Sequence, residues 1–536
     1  MAPAFAATFE NAPEVRDPID LEIHGTIPPW VSGVLYRTGP GTYRVSTTAD
    51  PSRTVDIHHW FDGIAMHHAF EIHPGGTRVT YRSRKGAEDL EQVMADTGLY
   101  PRTSFGQLPE PCEGVFRKFF TTYQGINGVR DPLANVSVTL SPNMPGWDVE
   151  KYDLKADGTS SRPRYIVAKS DSVYLQLLDP VTLDPVANAR YEDLDERLQG
   201  PLSAAHGCRD QETGDFYNFV GKLGGQYPTY TIFKIGTADG KAVILAQVKD
   251  APAAYIHSIT MTGRYVVFCV WGSHLKQSGA AILANKNYTQ SIETELDPKT
   301  EAKFYVVDRE NGGIVARYKT PTFFCFHHLN AFDDPETGDI VVDMAIYESA
   351  NILQNLYLDK LRDLNAQNHM AVGYARRFRL PSPTSAPSPD IARDAIVEFT
   401  TPQSQSIELP VVAPASYHKP YRYAYGITNQ DPKVHHTFAD GLIKLDMAAP
   451  AGAGSKAWRA PQRTPSEPIF VPRPGGTDED DGVLLSVTLD ETTMRSSMVV
   501  IEAKEMTEIA RAEMPHVYPV GFHGVWYGAG QRLSGL

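Results

Sequence analysis

The stretch Phe304-Tyr-Val-Val-Asp-Arg-Glu-Asn-Gly-Gly-Ile-Val-Ala-Arg-Tyr318 decides the fold class. Two short runs rich in β-branched and aromatic residues, Phe304 to Val307 and Ile314 to Tyr318, flank Asn311-Gly312-Gly313. Asparagine and glycine accept the positive φ of a tight hairpin, and the flanking runs favour extended backbone. The same pattern continues outward in both directions. Upstream, 164–178 reads as two strands about Ser170-Asp171-Ser172, and 264–271 as a buried strand rich in Val, Phe and Tyr. Downstream, 340–346, 442–445, 483–488 and 498–503 extend the series. Short strands at regular spacing with Gly, Asp and Pro turns indicate a barrel, a sandwich or a propeller. No exact internal repeat selects the propeller among them.

Helical signals are few. Leu353, Tyr357, Leu361 and Leu364 share one helical face, and Val115, Phe116, Phe119, Phe120 and Tyr123 form a second such stripe beside Arg117 and Lys118. The stripe at 115–123 fits a core-facing helix better than a membrane anchor. The Pro/Ser-rich 381–389 and the small-residue 448–455 interrupt one continuous strand series, so they read as surface excursions. The chain, 1–536, is expected to form a single domain.

With 536 residues, 42% of them hydrophobic, the chain can bury a large core. A formal net charge of -14 argues against nucleic-acid binding and against general attraction to anionic membranes. Cys112, Cys208, Cys269 and Cys325 form no C-x-x-C pair and read as reduced thiols of a reducing compartment. The opening Met-Ala-Pro-Ala-Phe-Ala-Ala has no basic region and no long apolar run, so no secretory signal is expected. No apolar stretch approaches the roughly 18 residues of a spanning helix. The expected location is cytoplasmic, soluble or attached to one membrane face.

Four histidines stand in distinctive surroundings: Ala-Ala-His206-Gly, Tyr-Ile-His257-Ser, Phe-Cys-Phe-His327-His328-Leu and Val-Gly-Phe-His523-Gly. Neutral imidazole suits Fe, Zn, Cu or Ni. Ligands so far apart in sequence meet only where the fold brings distant segments to one axis, as a closed ring of β-units does. A metal-bound histidine usually gives its other N–H to a carboxylate, for which Asp171, Glu408 and Glu467 are candidates. Taken alone, these four of the chain's 17 histidines are weak evidence for a metal, and Glu408 and Glu467 read as ordinary exposed carboxylates. The pairs His58-His59, His67-His68 and His435-His436 suggest metal sites, but strand neighbours point to opposite faces, so they read as structural.

The longer segments change the weighting. Pro-Ile-Asp-Leu-Glu-Ile-His-Gly-Thr-Ile-Pro (18–28), Gly-Val-Leu-Tyr-Arg-Thr-Gly-Pro (33–40) and His-Trp-Phe-Asp-Gly (59–63) open a series. Phe-His-His-Leu-Asn-Ala-Phe (326–332), Tyr-Arg-Tyr-Ala-Tyr-Gly (421–426), Pro-Ser-Glu-Pro-Ile-Phe-Val (465–471) and Pro-Val-Gly-Phe-His-Gly (519–524) complete it. In wording and order they resemble the carotenoid cleavage oxygenase family over nearly the whole chain, closest to its animal-type branch and fungal relatives. The resemblance implies an all-β, seven-bladed β-propeller with a loop and helix dome over an axial metal site. It implies Fe2+ held by His206, His257, His327 and His523, with His328 structural. It implies that Asp171, Glu408 and Glu467 pair with His257, His327 and His523 in that order. Asp171 stands where the family usually has Glu, one methylene longer, so its bond to His257 is expected either to draw the backbone in or to pass through water.

The implied reaction is cleavage of a conjugated C=C bond of a carotenoid or apocarotenoid by O2 into aldehydes, an apolar polyene being the partner. No residue beyond the metal ligands is expected to be catalytic. The resemblance also gives 115–123 a second use, membrane-surface contact near a tunnel mouth, and sets Cys112 at a position lipid-modified in some animal relatives. Rivals are a stilbene-cleaving oxygenase and a retinoid isomerase or binding protein of the same fold. The Tyr and Lys that hold a stilbene hydroxyl fall on Leu140 and Ser170, with Lys169 facing away, which leans against stilbenes.

Overall fold

The computed structural model describes residues 3–108, 133–155, 161–365, 369–431, 433, 437–449 and 453–528. The 115–123 stripe, Cys112 and His435-His436 lie outside them, as do 450–452 of the small-residue loop. The molecule is all-β with few helices, its antiparallel sheets in a propeller-like arrangement. Five sheets have four or five strands, and a sixth has ten. In the ten-stranded sheet, Ile19–Gly25 pairs with Thr507–Glu513 on one side and Val79–Lys85 on the other. At its inner end, Gly33–Thr42 near the N-terminus pairs with His523–Gly528 near the C-terminus, Thr38 opposite His523. The first and last parts of the chain are thereby locked together beside the axis.

The hairpin of the opening stretch is observed: Glu301–Asp308 pairs with Ile314–Pro321. Its turn explains the regular spacing. The Asp308 carboxylate accepts the N–H groups of Glu310 and Asn311, and its carbonyl accepts the N–H of Gly312, which sits at φ 71°. The same turn recurs at Asp179, Asp210, Asp334 and Asp490. Its fifth position always has positive φ: Leu183, Gly214, Gly338 and Met494 in those four. A structural repeat therefore exists, in the turns of the sheets. Gly312→Ala should cost about 1–2 kcal/mol, the left-handed penalty of an L-residue. Its Cβ would also meet the Leu245 carbonyl oxygen at 2.8 Å. Denaturant unfolding of the purified variant checks this.

The strands proposed on either side of Ser170-Asp171-Ser172 are Ile166–Lys169 and Tyr174–Leu178. The amphipathic face at 353–364 is not one helix. Ile352–Asn355 and Leu358–Leu361 are separate single turns, and Tyr357 between them is extended. Tyr357 forms a bridge with His59 and shares a hydrogen bond with Thr289 at 2.7 Å, and these tertiary contacts break the helix. The apolar pattern was nevertheless informative, since Leu353, Tyr357, Leu361 and Leu364 are all buried.

Candidate metal centre

His206, His257, His327 and His523 converge: one ring nitrogen from each lies within 4.8 Å of all the others. Each reaches the axis from a different sheet or edge. His206 and Ser258 form a parallel bridge, with His206 N–H donating to His257 O and Ile259 N–H to His206 O. His327 lies in Phe324–Asp333, whose register shifts on both sides of His328. Bulges of this kind re-aim side chains. His523 opens the last strand, against Thr38.

Three of the imidazoles are held from behind. His257 Nδ1 lies 2.6 Å from Asp171 Oδ1, His327 Nδ1 2.5 Å from Glu408 Oε2, and His523 Nδ1 2.7 Å from Glu467 Oε1. The pairing order is the expected one, and the Asp171 contact is direct, so the shorter side chain needs no bridging water. Each carboxylate's remaining oxygen is held in turn. Tyr255 O–H donates to Asp171 at 2.9 Å, Tyr347 O–H to Glu408 at 3.0 Å, and the Gly524 N–H to Glu467 at 2.7 Å. Arg37, fully buried, donates to the Glu467 carbonyl at 3.0 Å and lies 3.4 Å from its carboxylate. Sequence reasoning missed Tyr255, Tyr347 and Arg37. Tyr255 stands two residues from His257, the one available signal.

Burial pushes the pKa values of His327 and His523 down, so both imidazoles are neutral at ordinary pH. Burial also pushes the Glu467 carboxyl up to about 8, against the opposing pull of Arg37 and the Gly524 N–H. A cation at the centre would favour its ionised form. The donor set fits a metal. With Nδ1–H given to a carboxylate, each of these three rings turns its Nε2 lone pair inward. His327 Nε2 is buried with no hydrogen-bond partner, and Nε2 of His206 and His523 are 2.9 Å apart. Without a cation one nitrogen of that pair donates to the other; a cation would take the lone pairs of both.

Of the other paired histidines among the described residues, His59, His67 and His68 serve the fold. His59 meets the Leu353 carbonyl, His67 meets Thr38 and Gln176, and His68 meets Tyr81. His58 caps nothing comparable, its Nδ1 being buried without a partner. His328 is not a member of the cluster.

A cavity of about 240 Å³ opens against His257, His327 and His523. Its wall is largely aromatic and aliphatic: Tyr255 and Phe326 are in ring contact with His257, and Phe522 precedes His523 and packs on Phe61, which meets Phe105. Ser170 is on this wall, whereas Leu140 and Lys169 are not. Lys169 is buried elsewhere, its amine 4.9 Å above the Phe216 ring. Among the described residues, no helix is long and apolar enough to cross a membrane.

The chain is similar to torulene dioxygenase of Gibberella fujikuroi, 34% identical over 97% of this chain and 92% of that one. It is 33% identical to carotenoid dioxygenase of Neurospora crassa, over 98% of this chain and 92% of the relative. A solved Synechocystis apocarotenoid oxygenase variant superposes with a TM-score of 0.74 at 24% identity, covering 98% of each chain, and so shares the fold. The model of the family described as retinal pigment epithelial membrane protein matches residues 8–528. A match of that extent, joined to the similarity with the two fungal dioxygenases, places this chain in the RPE65, or carotenoid oxygenase, family.

Proposed function

We propose that this protein is a non-haem iron(II) dioxygenase that cleaves a conjugated C=C bond of a carotenoid or apocarotenoid with O2, giving aldehydes. One observation carries the reading: a four-imidazole cluster forms part of the wall of an aromatic, apolar cavity. His206, His257, His327 and His523 would hold the metal, and Asp171, Glu408 and Glu467 would fix ring orientation. Imidazole alone does not single out iron. Iron is preferred because the dioxygenase names of the fungal relatives call for O2 chemistry. When bound, ferrous ion with open positions would supply O2 activation.

The residues of the chain do the positioning. The cavity wall holds an extended polyene by apolar contact, excludes water and presents one double bond beside the histidines, which is catalysis by proximity and orientation. One C=C and one O2 become two C=O groups, so the overall change needs no proton donor. The ten-stranded sheet reads as two blades joined through Ile19–Gly25, making seven with the other five around one domain spanning 1–536. If the 115–123 stripe does not face the core, it would suit uptake of an apolar substrate from a membrane surface.

Metal analysis should find one iron per chain. Competition between β-apocarotenals and resveratrol at equal concentration should show cleavage of the polyenes, because Leu140 and Lys169 are both away from the cavity and offer a phenol no partner. Turnover of resveratrol with none of any polyene would overturn the substrate reading. Because all three carboxylate contacts are direct, Asp171→Asn, Glu408→Gln and Glu467→Gln should each lower iron retention or rate by about 10–100-fold. A near-wild-type Asp171→Asn would show that the His257 contact does not orient the ring.

A further inference from the structure

The cluster has a second side. Before His257, His327 and His523 in the chain, Tyr255, Phe326 and Phe522 face the large cavity. Residues after the histidines line a smaller cavity of about 70 Å³, among them Cys208, Ser258, Thr260 and Asn330. His327 and His523 border both spaces, so the two cavities meet the imidazoles from opposite directions. Their chemistry differs. The small one has room for about two waters at roughly 30 Å³ each. Its wall carries hydroxyls, an amide, Glu467 and His328. At its outer rim, Tyr417 and His418 are half-buried beside exposed Ala415 and Lys419, so it ends at a surface loop.

We propose that this small polar cavity is the route by which the divalent metal ion enters the four-histidine centre, with His328 as a donor on the way. The inference rests on the metal-centre reading above. A hydrated cation sheds water only where other donors replace it, and the smaller cavity carries them over a larger share of its wall. His328 offers both ring nitrogens: Nδ1 and Nε2 are buried and neither has a hydrogen-bond partner in the protein. A buried polar atom left unpaired costs about 1–3 kcal/mol. The bulge that aims His327 at the axis leaves His328 on the small cavity. Loading from this side leaves the large cavity free for the polyene, so metal and substrate do not compete for one path.

The test follows Co2+ uptake by the chelator-stripped full-length chain, read from the visible bands of the ion. Under anaerobic conditions no cleavage occurs, so a saturating β-apocarotenal can fill the large cavity throughout. Wild-type uptake should keep its rate with the apocarotenal bound. His328→Ala should load about tenfold more slowly, to the same final stoichiometry, an effect equivalent to about 1.4 kcal/mol in the barrier. Val411→Phe, which narrows the small cavity without removing a nitrogen, should also slow loading. Uptake blocked by the apocarotenal, or unchanged in both variants, would overturn the route while leaving the metal centre intact. If neither variant folds, the apocarotenal arm decides alone. A wild-type chain that binds no Co2+ at all would overturn the metal centre itself, and the route with it.

Discussion

Alanine at any one of His206, His257, His327 or His523 should leave less than about 1% of polyene cleavage, a barrier increase of more than about 2.7 kcal/mol. The fold should survive. The four rings lie at the axis, whereas the sheets are held by backbone strand pairing, including the closure of Gly33–Thr42 on His523–Gly528. That closure uses the backbone of residue 523, which alanine retains. Alanine at His257, His327 or His523 leaves a carboxylate oxygen without its imidazole, a cost of about 1–3 kcal/mol that is small against the strand pairing of the whole chain. Metal content and activity should fall together while the thermal transition of the metal-stripped chain moves by only a few degrees. A variant that keeps both iron and turnover would remove that histidine from the centre.

The second large effect is expected away from the cavity wall. Arg37 is fully buried and supports Glu467 at two points, the carbonyl and the carboxylate. A cation at the centre would keep Glu467 ionised, and breaking such a buried ion pair by removing one partner costs about 3–5 kcal/mol. Arg37→Met should therefore destabilise the metal-loaded protein by that order, visible as a lower denaturation midpoint, and the metal-stripped protein by less, since Glu467 is then largely protonated at neutral pH. Glu467→Gln leaves Arg37 without its countercharge, but Arg37 keeps the residue 467 carbonyl and the Gln keeps an oxygen for the Gly524 N–H, so part of the cost is offset. The double variant Arg37→Met/Glu467→Gln should regain part of the loss, because no buried charge is then left alone. A single Arg37→Met as stable as wild type would show that the Arg37–Glu467 contact carries no energy.

Both predictions concern residues whose standing in the sequence was unequal. His523 sits in a conspicuous segment, Val-Gly-Phe-His-Gly, whereas Arg37 sits in Tyr-Arg-Thr-Gly-Pro with nothing to mark it as a partner of a residue 430 positions away. Turn chemistry lay in between. Asp-Gln-Glu-Thr-Gly-Asp at 210–215 and Asp-Pro-Glu-Thr-Gly-Asp at 334–339 are nearly the same hexapeptide, and both form the aspartate turn seen at Asp308. That repeat was legible, but it is short, and Leu183 and Met494 replace its glycine elsewhere, so it does not announce itself as a period. The 353–364 stripe shows the reverse case. Its spacing correctly marked four buried side chains, but Tyr357 is drawn out of the helix by His59 and Thr289.

The sequence by itself determined what local chemistry determines. Alternating β-branched and aromatic runs with Asp, Asn and Gly turns made the chain all-β, and the wording around His206, His257, His327 and His523 marked the family and the cluster. Only the tertiary structure decided how side chains distant in the chain meet. It set the direct 2.6 Å contact of Asp171 with His257, the hydroxyls of Tyr255 and Tyr347 behind two of the carboxylates, Arg37 behind the third, and His328 on a second cavity. Strand type depends on neighbours within a few residues, so it can be read along the chain. A hydrogen bond depends on fractions of an ångström between segments brought together by sheet closure, and a one-residue bulge is enough to redirect a side chain.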